Sequence, residues 1–158
     1  MTERYFVERV KYLKDGTHKK SEQMEYATIK AAEKKFYQNV GNDMDDSTLC
    51  GSMNVLLNSI GGQIEKKFWK DANAEIEPYY FVARVKEQTD GTIKKSEIME
   101  YDDKKAAVAK LYSNIGTDMG DDTLQGSMCT VLDMEGNEVK RDYWEDSQYN
   151  PPEPEPSI

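Results

Sequence analysis

The chain has 158 residues, 37% of them hydrophobic and 32% charged, with a formal net charge of −9. That length admits one ordinary domain or two small ones, and the acidity argues against direct binding to nucleic acid or an anionic membrane. No apolar run approaches the ~20 residues needed to cross a bilayer, so a soluble protein made in the cytosol is expected.

Residues 4–13 alternate and are rich in Tyr, Phe and Val, which predicts a strand. Asp15-Gly16 follows as a turn dipeptide, read as a two-residue type I′ loop because Gly accepts positive φ. Residues 18–26 return as a second strand. In that register Tyr5 faces Tyr26, Val7 faces Met24, Arg9 faces Glu22 and Lys11 faces Lys20. Arg9 and Glu22 would form a cross-strand ion pair. Residues 28–40 have helical spacing, with Ala32, Phe36 and Val40 on one stripe and Gly41 as the expected C-terminal stop. Residues 51–58 read as a third strand. Gly61-Gly62 turns the chain into a fourth, ending at Phe68-Trp69.

The same order then recurs at an offset of 75 residues. Tyr5–Trp69 lies over Tyr80–Trp144 without a gap, and 34 of the 65 pairs are identical. Self-similarity at a fixed spacing is the signature of repeated structure. In the second copy Asp102 or Asp103 is the expected helix N-cap, Gly116 the stop, and Gly136-Asn137 the last turn. The fold class expected is α+β: two tandem ββαββ modules, each an antiparallel sheet with one helix, packed as a pseudo-two-fold pair. The modules span 3–69 and 79–144, joined by a linker at 70–78. One face of each hairpin is expected on the module's own helix and the other on its twin. The Pro- and Glu-rich stretch 145–158 has the composition of a disordered tail. Charge differs along the chain: +1 over residues 1–69, −2 over 70–79, −4 over 80–144 and −4 over 145–158.

The catalytic inventory is thin. His18 is the one histidine, and Ile93 replaces it in the second copy. That excludes a His-rich zinc site and leaves no base for a nucleophilic triad. Cys50 and Cys129 fall at non-equivalent positions and are expected as free thiols, a disulfide being the alternative. Phosphate-binding glycine motifs are absent. No enzyme activity and no cofactor are expected.

Two charged constellations remain. Asp43, Asp46, Asp118 and Asp121 recur in the acidic stretches "GNDMDDSTLCGSM" and "GTDMGDDTLQGSM". A calcium loop of the EF-hand type needs Gly at its sixth position and a bidentate Glu at its twelfth. Thr48 and Asn54 stand there in the first copy, so that reading fails and a looser divalent-cation site is what remains. The bland alternative is that these Asp residues cap turns, with Met44, Met119, Leu49 and Leu124 anchoring the loops on the core. Arg9, Lys11 and Lys20, with Arg84, Lys86 and Lys95, form the second constellation. Opposed lysines repel, so an anionic ligand would be welcome between them; the alternative is a solvated hairpin tip. Tyr5, Tyr26, Tyr37, Trp69 and their counterparts are expected in the core or between modules. Exposure of several of them would instead mark a protein-binding face.

The succession of a Y-F-V-x-R-V strand, a D-G-T turn, M-E-Y, an Ala- and Lys-rich helix, a G-S-M strand and a closing aromatic-Trp resembles a class of small accessory proteins encoded by phages and prophages of Gram-positive bacteria. The resemblance spans each module whole and carries no catalytic residue. It implies counter-defence or virion-associated roles. The expected function is therefore a non-catalytic interaction module with a host or phage protein partner, inhibiting a host defence protein. The alternatives are a binder that sequesters a small anionic nucleotide and an accessory component of virion structure or assembly. The two modules would act as a pseudo-dimer within one chain, with further homo-oligomerisation open.

Overall fold

The computed structural model describes residues 3–21, 23–96 and 98–146. In chain order the elements are β1 (Tyr5–Leu13), β2 (His18–Lys20), β3 (Met24–Tyr26), α1 (Ile29–Asp45), β4 (Leu49–Leu57), β5 (Gln63–Lys70), β6 (Tyr80–Gln88), β7 (Ile93–Lys95), β8 (Met99–Tyr101), α2 (Lys104–Met119), β9 (Leu124–Asp133) and β10 (Glu138–Glu145). They form two antiparallel five-stranded sheets. The first runs β2-β1-β4-β5 with β3 also paired to β1; the second runs β10-β9-β6-β7 with β8 paired to β6. The protein is α+β, with one sheet and one helix in each half.

The hairpin turns differ from the two-residue loops expected. Gly16 N donates to Leu13 O at 3.0 Å and Leu13 N to Thr17 O at 2.9 Å, so three residues bridge the strands. Gly16 has φ +90. This is a type I turn closed by a left-handed glycine, the common three-residue hairpin loop. The Asp15 side chain accepts from Thr17 N at 2.9 Å and braces it. Gln88–Thr92 repeats the construction in the second half. The extra loop residue moves the register by one, so Lys11 pairs with Lys19 rather than Lys20. One additional residue between β2 and β3 restores the expected alignment, and Tyr5 meets Tyr26 and Val7 meets Met24. Lys86 pairs with Lys94 in the same way. Glu22, the expected partner of Arg9, lies outside the described residues, as do its counterpart Glu97 and the tail beyond Asp146.

The helices start where expected. Thr28 caps α1 and Asp103 caps α2, each side chain accepting an amide three residues on. They do not stop at Gly41 and Gly116; both glycines lie inside the helix, about a turn before its end. The inward stripe of α1 continues past Val40 to Asp43, and that of α2 past Ile115 to Asp118. A buried polar anchor in the last turn holds the helix onward, so the glycines are not needed as left-handed stops.

Alternation along β1 and β6 divides the core. Val7 points to the helix and packs with Ala32, Phe36, Val40 and Leu56. Val82 does the same with Ala107, Leu111, Ile115, Cys129 and Val131. On the opposite face Phe6, Val10, Tyr12, Met53, Val55 and Leu57 join Phe81, Ala83, Val85, Met128 and Leu132 in one cluster. The two sheets thus bury their inner faces on each other, with a helix on each outer face. Each fully buried side chain of this size contributes about 1.5–3 kcal/mol from burial.

Polar contacts stitch the seam between the sheets. Tyr12 Oη donates to Met134 O at 2.5 Å, and Thr130 Oγ1 to Gly61 O at 2.9 Å. The glycine turns approach the opposite sheet closely. A Cβ at Gly61 would lie 2.5 Å from Thr130 Oγ1, and one at Gly136 would lie 2.9 Å from Val55 Cγ2. Position 136 is 61 plus 75, and 130 is 55 plus 75, so the two contacts are reciprocal.

Candidate functional site

The two charged constellations of the sequence meet in part. Arg9 projects from the helix-facing side of β1 and meets Asp43 in the last turn of α1. Its Nε donates to Asp43 Oδ2 at 3.2 Å and its Nη2 to Asp43 Oδ1. Asn54, the cross-strand neighbour of Arg9, donates Nδ2 to Asp43 Oδ2 at 3.3 Å. Asp43 is 1% exposed. The second half repeats the pair: Arg84 Nε donates to Asp118 Oδ2 at 3.2 Å, and Arg84 Nη2 to Asp118 Oδ1. Two-pronged arginine–carboxylate pairs are among the strongest side-chain contacts. Arg9 and Arg84, offered as ligand-binding groups, and Asp43 and Asp118, offered as cation ligands, are thus committed to each other.

Asp46 and Asp121 have a different task. Asp46 Oδ1 accepts from Thr48 N at 2.9 Å and Thr48 Oγ1 at 2.6 Å. Asp121 does the same with Thr123. These bonds hold both carboxyls below the ordinary range. They form the turn between helix and strand. Among the described residues no group of three or more His, Cys, Asp or Glu side chains is arranged to hold a metal.

Lys11 and Lys86 stand beside these pairs. Burial lowers the Lys11 ammonium from its usual range, and Arg9 and Lys19 lower it further, while Asp43 and Asp46 work the other way. Lys86 is perturbed by the equivalent groups. Lys20 and Lys95 fall on the other side of the hairpin, opposite Val10 and Val85, away from this cluster.

Both cysteines are free. Cys129 is buried against α2, where Asn114 Nδ2 donates to its Sγ at 3.4 Å. Burial pushes its thiol up to about 11, which suppresses the thiolate that nucleophilic chemistry needs. His18 crosses the seam, its Nδ1 2.7 Å from Glu100 Oε1 of the other half. Its sequence position gave no hint of that partner, because the two residues are 82 positions apart.

The outward surface carries what the core does not absorb. Met44 and Met119, expected to anchor their loops, are 52% and 55% exposed, whereas Leu49 and Leu124 are buried. Tyr37 and Tyr112 are also exposed, as are Met24 and Met99. Tyr37, Gly41 and Met44 lie at i, i+4 and i+7 on α1, hence on one helix face. Tyr112, Gly116 and Met119 repeat that face on α2. A Cβ built at Gly41 or Gly116 would meet nothing within 4 Å. Each glycine therefore lies on open helix surface, on the face that carries an exposed Tyr and an exposed Met. The signal in the sequence was identity: Tyr, Gly and Met stay unchanged at these places while the buried stripe changes from Phe36 and Val40 to Leu111 and Ile115.

No protein-family model, no curated protein and no solved structure matches this chain. No helix of the described residues is long and apolar enough to cross a membrane.

Proposed function

We propose that the protein is a non-catalytic interaction protein whose two modules, an internal duplication, pair about a pseudo-two-fold axis and present twin helix faces to a protein partner. The carrying observation is the recurrence of Tyr37, Gly41 and Met44 as Tyr112, Gly116 and Met119, exposed in both halves with no core to fill. Tyrosine and methionine are favoured where a surface must be buried by a partner. The reciprocal approach of Gly61 to Thr130 and of Gly136 to Val55 supports the paired arrangement. The two halves then take the place of a homodimer, and the faces they present are equivalent. The resemblance to phage accessory proteins makes a phage-encoded inhibitor of a host defence protein the reading of the biological role.

The test is capture from host lysate with saturation by free protein. Wild-type protein should retain a saturable partner. The Tyr37→Ser/Tyr112→Ser variant, which changes exposed residues and should fold normally, should lose it. Capture that survives this variant would reject the helix faces, and no saturable partner at all would reject the interaction reading.

A second reading rests on the Lys11–Lys19 and Lys86–Lys94 pairs. Like charges directly opposed across a hairpin are relieved by an anion, so a small nucleotide would bind there. Thermal-shift screening with cyclic and linear nucleotides tests it; stabilisation that is unchanged in the Lys11→Gln/Lys86→Gln variant would discard it.

A further inference from the structure

The connector between the halves, residues 71–79, does not stand off the surface. It closes a recess of about 230 Å³ against the first hairpin, lined by Tyr12, His18, Cys50, Glu75, Glu77 and Tyr79 among others. Two shallower hollows adjoin it along the connector and share Glu75 with it. The walls are aromatic and acidic. The His18 ring meets Tyr79 edge-on at 4.7 Å between centroids and Tyr12 at 5.0 Å. Its side chain is 9% exposed, so it is a built part of the wall. The Glu100 carboxylate can only accept, so His18 Nδ1 carries the hydrogen of that contact. Glu77 accepts from Tyr79 Oη at 3.4 Å. The field is negative: Glu77 first, with burial, Glu100 and Asp102 adding to it, raises the Tyr79 phenol above its ordinary range. Of the nearby cations, Lys14 borders an adjoining hollow and Lys70 donates to Ala74 O at 3.0 Å.

The first half shows what such a place takes. Position 4 corresponds to Tyr79 and Glu25 to Glu100. There Arg4 Nε donates to Glu25 Oε2 at 3.1 Å. In the second half His18 takes the place of Arg4 as the partner of Glu100, and Tyr79 stands at the arginine's position with Glu75 and Glu77 beside it in the recess. Aromatic faces and carboxylates together are the chemistry that captures a cationic side chain.

We propose that this recess binds the guanidinium of an arginine side chain carried by a protein partner, held against Tyr79 and neutralised by Glu75 and Glu77. This rests on the interaction reading above and gives the partner a basic segment.

The full chain is titrated, by NMR, with a capped Gly-Arg-Gly peptide, with the same peptide carrying neutral citrulline, and with spermidine. Saturable shifts centred on His18 and Tyr79 are expected with arginine only. The Glu75→Gln/Glu77→Gln variant, altered at exposed positions, should bind it about tenfold more weakly. Equal binding of citrulline, an unchanged variant or no saturable shift would overturn the proposal, and spermidine binding as well as the peptide would reassign the recess to a free polyamine. If the arginine response fails while partner capture still depends on Tyr37 and Tyr112, this site falls and the interaction reading stands.

Discussion

Glu8 is the residue whose environment most contradicts its chemistry. It sits on the inter-sheet face of β1, fully buried, with Gln23 Nε2 donating to its Oε1. Its Oε2 and Gln23 Oε1 have no hydrogen-bond partner among the described residues. Burial pushes its carboxyl up from 4.5 to about 8, opposed by the Gln23 bond. A neutral acid removes the cost of burying charge. The folded chain therefore holds a proton that the unfolded chain releases between these two values. This contribution to stability is full below pH 4.5, falls as pH rises towards 8 at up to about 1.4 kcal/mol per unit, and is level above that. The second half carries Ala83 and Ile98 at the corresponding positions. Glu8→Ala/Gln23→Ile should fold, remove this slope and stabilise the protein at pH 9, as read by denaturant unfolding at several pH values; a variant that keeps the slope would clear Glu8. Asp43 is the opposite case, a buried charge that is paired. Asp43→Asn should cost about 3 kcal/mol, the low end for a buried pair broken on one side, because Arg9 remains 19% exposed. A loss under about 0.5 kcal/mol would mean that water already screens the pair.

At the scale of elements, Gly41 and Gly116 test whether the helix faces serve the fold or a partner. An interior helical glycine costs about 0.5–1 kcal/mol against alanine, and neither position is crowded or left-handed. Gly41→Ala/Gly116→Ala should therefore raise the denaturation midpoint, with up to about 2 kcal/mol gained together, and weaken partner capture by adding a methyl group to the face. A gain in stability with unchanged capture would remove these glycines from the interface. These elements also show what the sequence could and could not reveal. The alternation of Tyr5–Leu13, the N-cap Asp103 and the apolar stripes are local patterns, and they named the right elements. The loop length after Asp15 was not legible, because a glycine with positive φ serves both two-residue and three-residue hairpins. The helix ends were missed because the force that carries α1 to Asp45 comes from Arg9, 34 residues before Asp43 in sequence. The recess was hidden for the same reason: His18, Cys50 and Tyr79 come together only when the connector folds back across the first hairpin.

For the whole molecule, the decisive question is whether either half can exist without the other. Each half contains its own helix–sheet core, but that core is the smaller part. The inner face of the first sheet places Phe6, Val10, Tyr12, Met53, Val55 and Leu57 against the second sheet, all at 1% exposure or less. Removing the second half would open this face to water, at about 1.5–3 kcal/mol for each of these side chains, a sum comparable to the whole stability of a small domain. Glu8 adds asymmetry, since the first half buries an acid where the second offers Ala83. A fragment of residues 3–76 should therefore not persist as a native monomer. It should associate with a second copy of itself or with a fragment of residues 77–146, and the mixed pair should win. Two copies of the first half would bring two Glu8–Gln23 pairs to one seam, whereas the mixed pair has one, with Ala83 and Ile98 at the corresponding places of the second half. Light scattering of the separate and mixed fragments, followed by isotope-labelled NMR of the mixture, reads the outcome. A monomeric first half with dispersed native resonances would show that the seam is a contact between independent domains, and the protein would then owe its stability to each helix–sheet core.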